Sequence, residues 1–321
     1  MYEDIKKNKI KTVEIVFVFL VLISLMIYFV SYYFMESSWF AIIFAMVFSI
    51  ISTLLTYWNS DKIVLKSVNA RKAEDPEYDQ IRNILDGLMI ASGLTNRPEV
   101  YVMDSDQPNA FATGRDPEHA VICLTTGIIK KLDYYELESV IGHELSHIKN
   151  YDIRLSAVVS VMVGFVVMLS DIFRRSILRR GGRKSGGDTN AINILLIVLG
   201  VLSLLLAPIA SKIIQLAVSR RREYLADATS VQMTRNPDAM ISALVKISSD
   251  DSVMEQASNS SAHMFISNPF RGKKVSSIFQ TQPDIQDRIA AIQKLRWLTF
   301  FEYRGIIPSC LFKMNFILWR N

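Results

Sequence analysis

Two stretches near the N-terminus, Ile15–Phe34 and Trp39–Trp58, each run for about 20 residues without a charged side chain, long enough to cross a ~30 Å hydrocarbon core as helices. A chain carrying such segments cannot fold as an ordinary water-soluble domain along its whole length. The composition agrees: half of the 321 residues are hydrophobic, 21% are charged, and mean hydropathy is positive. Two further apolar blocks follow, Leu155–Phe173 with a single acid at Asp171, and Ala191–Ala210 with Pro208. Lys6, Lys7, Lys9 and Lys11 precede the first block, but it is too long for a signal-peptide core and runs through Met35–Ser38 into the second, so we read a retained hairpin. Basic residues flank this hairpin on both sides, including Lys62, Lys66, Arg71 and Lys72, and its connecting turn has none. Both flanks are therefore expected on the cytoplasmic face. The third and fourth blocks are joined by a loop holding Arg174, Arg175, Arg179, Arg180, Arg183 and Lys184. Exporting that loop runs against the charge bias, so two arrangements stand open: a second spanning hairpin, or helices that enter the bilayer without crossing it.

The polar segments read as α+β. Pro76 precedes an amphipathic helix with Ile81, Ile84, Leu85, Leu88 and Met89 on one face, closed by Gly93. Val100–Met103 reads as a strand, and Asn109–Thr113 is expected to pair with Ala120–Thr125 around Gly114–Pro117. Asp133 and Glu136 have the spacing of a capping box, opening a helix at Tyr134 whose apolar face is Leu137, Val140, Ile141, Leu145 and Ile148, with Asn150 near its stop.

That helix carries His143-Glu-Leu-Ser-His147. Residues four apart share a helical face, so the two imidazoles can reach one ion at ~2.0–2.1 Å each, the distances of a zinc site. Glu144 lies beside them, where a carboxylate can take a proton from an attacking water and return it to a leaving amine. The chain has four histidines, and this segment holds two of them. The motif leaves a third ligand to be found. Beyond the fourth apolar block, Glu223 and Asp227 again lie four apart in a stretch that can be helical. Glu223 would complete a His2Glu set and Asp227 would orient a histidine through its other ring nitrogen. On spacing alone the alternative stays open, that both are solvated partners of Arg220, Arg221 and Arg222. If helix runs on from Ala210, Glu223 lies ~20 Å along it, close to the membrane face.

His143–His147, the later Arg222-Glu-Tyr-Leu-Ala-Asp227, Asn109-Ala110-Phe111-Ala112-Thr113-Gly114 and the four apolar blocks together resemble the HtpX family of bacterial membrane zinc metallopeptidases, related to the CAAX prenyl endopeptidases. The likeness runs over about residues 1 to 293. It implies one zinc per chain on His143, His147 and Glu223, Glu144 as general base, and a site facing the cytoplasm. It also implies that Asn109, Ala110, Phe111, Ala112, Thr113 and Gly114 form an edge strand to which an extended substrate adds through backbone hydrogen bonds; from the residues alone an ordinary hairpin fits as well.

Two departures from the family pattern stand out. Members usually carry His-Pro ahead of an Arg-Ile pair, the histidine serving the oxyanion, whereas this chain has Gln282-Pro283 before Arg288-Ile289. An amide donates a hydrogen bond but cannot become charged, and loss of one oxyanion donor costs ~2.7–4 kcal/mol of barrier. Gln282 and Arg288 are the residues expected to share that role. The tail Trp297–Asn321 mixes aromatic side chains with Arg304, Lys313, Arg320 and Pro308; it reads either as interfacial or as an extension without a specific role.

Other features point elsewhere only weakly. His119 and His263 read as structural or exposed rather than as ligands. Cys123 and Cys310 are too few for a disulfide framework. The net charge of +5 fits basic residues flanking a membrane, and no nucleic-acid module accompanies it. The expected fold is α+β, a mainly helical polytopic membrane protein with a zincin-type metalloprotease domain and a small edge-strand sheet. Its expected divisions are a transmembrane hairpin (1–59), the first part of the cytoplasmic zincin domain (60–153), a second hydrophobic hairpin (154–218), the second part of that domain (219–296) and the tail (297–321). The expected function is a multi-pass cell-membrane zinc endopeptidase acting on damaged or misassembled membrane proteins, with polypeptides and the lipid bilayer as partners and no nucleic acid. Two alternatives remain, a catalytically silent member that binds membrane proteins and, on the strength of Asp171, a transporter.

Overall fold

The computed structural model describes residues 57–164, 219–254, 261–269 and 283–303, together with 8–18 and isolated helical positions between 6 and 55 and at 167. Among the described residues no helix is long and apolar enough to cross a membrane. Most of the four apolar blocks, the basic loop and the end of the tail lie outside them.

After a helix at Ser60–Ser67 (α1) the chain forms a mixed four-stranded sheet. Its strands are β1 (Arg71–Lys72), β2 (Glu99–Met103), β3 (Ala110–Gly114) and β4 (Ala120–Thr125), in the order β1-β2-β4-β3. β3 and β4 form the expected antiparallel pair, Phe111 opposite Cys123 and Thr113 opposite Val121, while β2 pairs with β4 in parallel. Gly114 has φ +147°, and a Cβ there would stand 2.3 Å from the His119 carbonyl oxygen, so only glycine lets β3 turn this closely into β4.

The amphipathic helix α2 (Asp79–Ser92) buries Ile81, Ile84, Leu85 and Leu88 and ends at left-handed Gly93, as its pattern predicts. Short α3 (Thr126–Lys131) leads into α4 (Tyr134–Lys149), which carries both motif histidines. The Asp133 side chain accepts from the Glu136 amide (3.0 Å) and Glu136 accepts from the Asp133 amide (2.8 Å), the reciprocal cap expected from their spacing. Glu136 also accepts from Ser242 Oγ and Lys246 Nζ, tying the start of α4 to α6 (Pro237–Ser248). The main core lies between the sheet and α2, α4 and α6, with Leu85, Val140, Leu145 and Leu124 wholly buried. Each such side chain contributes roughly 1.5–3 kcal/mol.

Helix α5 (Arg220–Thr234) lies along α4, and α7 (Ile285–Tyr303) packs on α5 and α6. One expectation is corrected here. Ser219 is extended (φ −136°, ψ 118°), so α5 opens at Arg220 instead of continuing a helix from Ala210, and the distance to the membrane face inferred from that continuity does not hold.

Candidate metal centre

The packing of α4 on α5 decides what faces what. Gly142 meets α5 where a Cβ would lie 3.0 Å from Ser230 Oγ, and Ser230 Oγ donates to the Ser139 carbonyl at 2.5 Å. Small residues on both helices thus allow the close approach that brings Glu223 and Asp227, on the preceding turns of α5, against His143.

The Nε2 atoms of His143 and His147 lie 3.2 Å apart. Glu223 places Oε2 3.5 Å from the first and Oε1 3.8 Å from the second. Donors held at ~2.0–2.1 Å by one tetrahedral ion stand about 3.3 Å from each other, so these spacings fit a single zinc. The three residues also form the one potential metal-binding cluster of histidine, cysteine and acid side chains among the described residues. The far side of each ring is fixed by a carboxylate: Asp227 Oδ1 lies 2.9 Å from His143 Nδ1, and Asp152 Oδ2 lies 3.0 Å from His147 Nδ1. With Nδ1–H donating to an acid, each ring presents its Nε2 lone pair to the common point.

Electrostatics reinforce this. Burial opposes charge on His143, but the hydrogen bonds it donates to Asp227 and Glu223 outweigh it and raise its pKa to about 9. Burial likewise opposes charge on His147, and the Asp152 hydrogen bond and Glu223 raise it. Glu223, part-buried and beside both imidazoles and Arg288, is held well below the usual carboxylate range. Glu144, 2% exposed, goes the other way: burial raises its pKa more than the two histidines lower it.

Glu144, His147 and Glu223 line a cavity with Ala112, Asp152, Arg222 and His263. The Ala112 amide faces the Glu144 carboxylate. Ala112 lies on β3, which is paired on one side by β4 and is an edge of the described sheet. That edge is partly covered already. Ile266 donates to the Ala110 carbonyl at 3.0 Å, Asn109 exchanges hydrogen bonds with the Ser267 backbone, and Phe265 packs edge-on against Phe111 at 5.0 Å. Of the six strand residues expected to bind substrate, Asn109 and Ala110 are thus engaged internally, Ala110 to Gly114 are all buried, and Ala112 lines the cavity.

Arg288 sits differently from its expected place at an oxyanion. It is 1% exposed and forms a two-pronged pair with Asp227, Nε to Oδ2 at 2.8 Å and an Nη to Oδ1 at 2.6 Å, while another Nη donates to the Ile266 carbonyl. It stands behind His143, clamping the acid that orients that ring, and does not line the cavity. Gln282 lies outside the described residues. His119 is an exposed partner of Asp116, remote from the centre. His263, expected in a loop, sits in a short 3-10 turn at the cavity wall, with Nε2 3.2 Å from the Ser156 carbonyl. Asp152 escaped the sequence reading; its only signal is an acid five residues beyond His147, just past the helix stop.

Comparison with known proteins agrees with this geometry. Residues 76–296 match the model of peptidase family M48. The curated protease HtpX homologue of Caldanaerobacter subterraneus is 41% identical over 302 residues, covering 92% of this chain and 98% of its own length. That of Dictyoglomus thermophilum is also 41% identical, covering 92% and 96%. The solved structure of S. mikatae Ste24p aligns more loosely, with a TM-score of 0.46 and 17% identity over 91% of this chain and 67% of its own. A part-buried His-His-Glu cluster, a carboxylate beside it and a family match across two thirds of the sequence converge, and the chain belongs to peptidase family M48, the metalloproteases, with HtpX homologues as relatives.

Proposed function

We propose that this protein is a zinc-dependent endopeptidase of the gluzincin type, anchored in the cell membrane with its site on the cytoplasmic face, and that it hydrolyses damaged or misassembled membrane proteins. The observation carrying the reading is that three metal-compatible donors, His143, His147 and Glu223, face one point, and that two of them, His147 and Glu223, line one cavity together with the buried Glu144 carboxylate and Ala112 of the edge strand. The uncharged blocks of the sequence support the anchoring, and the likeness to HtpX proteases supports polypeptides as substrates.

His143, His147 and Glu223 would hold the zinc. When bound, it supplies Lewis-acid polarisation of the scissile carbonyl and makes water acidic enough to deprotonate near neutral pH. The residues do the rest. Asp227 and Asp152 fix the tautomers of the two rings. The outward backbone of Ala112 and Gly114 aligns an extended peptide beside Glu144, by hydrogen bonds that read no side chain. Glu144 takes the proton of the attacking water and delivers it to the departing amine; its raised pKa suits both halves of that transfer. Arg288 is a positioning residue that keeps Asp227 ionised and oriented.

Gln282, where the family pattern has histidine, favours one second reading, a member that binds membrane proteins without cutting them. The separating experiment uses the purified full chain in detergent with an unstructured protein substrate. Cleavage that is lost with a chelator and restored by zinc is expected; binding of the substrate with no cleavage at any zinc concentration would favour the silent reading.

A further inference from the structure

Asn8 belongs to the basic N-terminal stretch, yet it is 5% exposed and contacts residues more than 140 positions away. Its Nδ2 donates to Asp152 Oδ1 at 2.6 Å and to the Asn150 carbonyl at 3.1 Å. Its Oδ1 accepts from an Nη of Arg222 at 3.2 Å, and Arg222 Nε lies 3.4 Å from the same Asp152 oxygen. The other oxygen of Asp152 is the one that orients His147. An amide suits this place because one end must donate to a carboxylate and the other must accept from a guanidinium.

The rest of the stretch grips the same turn. Lys9 Nζ lies over the Tyr151 ring at 4.2 Å, and Thr12, 3% exposed, donates back to the Asn8 carbonyl at 2.8 Å. Tyr151 has φ +60°, an uncommon left-handed backbone for a tyrosine, and it is this turn that swings Asp152 from the end of α4 back onto His147. Three successive residues of the turn, the Asn150 carbonyl, the Tyr151 ring and the Asp152 carboxylate, are thus held by the N-terminal helix, residues 8–18.

The geometry points to Asn8 as a positioning residue of the metal centre: through Asp152 it fixes the His147 ring, so the N-terminal helix completes the site from the far end of the chain. This rests on the metal-centre reading above. It makes docking of the first helix and retention of the metal two readouts of one contact set.

The test is competition of the full chain in detergent against a chromophoric chelator for zinc. Loss of an outer hydrogen-bonding partner weakens metal binding by ~10–100-fold, and Asn8→Ala is expected near the lower end. Asn8→Asp, nearly isosteric but placing a carboxylate against Asp152, is expected to weaken binding at least as much and serves if the alanine variant folds poorly. In an Asp152→Ala background, Asn8→Ala should change affinity no further, since the group it positions is gone; a merely structural Asn8 would instead lower thermal stability equally in both backgrounds and leave the affinity of folded protein intact. Wild-type affinity in both Asn8 variants, or an equal loss with and without Asp152, would overturn the inference. A wild type that binds no zinc would overturn the metal centre itself, and this inference with it.

Discussion

Glu144→Gln is expected to keep its zinc and lose ~10²–10⁴-fold in cleavage rate, the usual contribution of a positioned general base. Glu144 is not among the three donors that face a common point, so its removal leaves the coordinating set intact. Glutamine is isosteric and can still meet the Ala112 amide, but it cannot accept a proton. The burial that lifts the Glu144 pKa is also what makes the substitution informative: an amide is accommodated in that pocket without leaving a charge behind. Steady-state cleavage and zinc content measured on the same preparation check it. Turnover close to wild type would remove Glu144 from the mechanism; simultaneous loss of zinc would make it a structural support of the centre.

Arg288→Met is expected to cost ~3–5 kcal/mol of stability, the scale for stripping one partner from a buried ion pair. Asp227 is 1% exposed and held below the ordinary carboxylate range chiefly by Arg288, against the burial that would raise it. Without the guanidinium, Asp227 is a buried charge with the His143 ring as its partner, and it either takes up a proton or moves, loosening the ring it orients. Pairing the change with Asp227→Asn should recover part of the lost stability, because no buried charge then lacks its partner. Denaturation of the single and double variants measures this. An arginine acting only on an oxyanion would give the opposite pattern, a fall in kcat with stability unchanged.

The parts of the centre legible in the sequence are those that obey local spacing. His143 and His147 share a helical face, Asp133 and Glu136 cap that helix, and Glu223 and Asp227 sit one turn apart on α5. The β3–β4 pair was signalled by Gly114–Pro117. Contacts that depend on how elements close in space were not legible. Asp152 reaches His147 through a left-handed turn at Tyr151, and no residue type there announces that conformation. Asn8 in a lysine-rich segment reads as a solvated residue until the helix that carries it is laid against the end of α4. Arg288 is expected at an oxyanion because nothing in the sequence ties it to its partner Asp227, 61 positions earlier. The parallel pairing of β2 with β4, and the cover that Ile266 and Ser267 place over part of β3, are likewise products of tertiary closure.

The most direct measurement is the zinc content of the full chain purified without chelator, wild type beside Glu223→Ala, by elemental analysis after dialysis. We expect about one zinc per wild-type chain and a substoichiometric amount in the variant, because a site reduced to two imidazoles lacks the third ligand of a catalytic zinc. No bound zinc in the wild type, or the same zinc held equally well without Glu223, would contradict the joining of α4 and α5 into one metal centre.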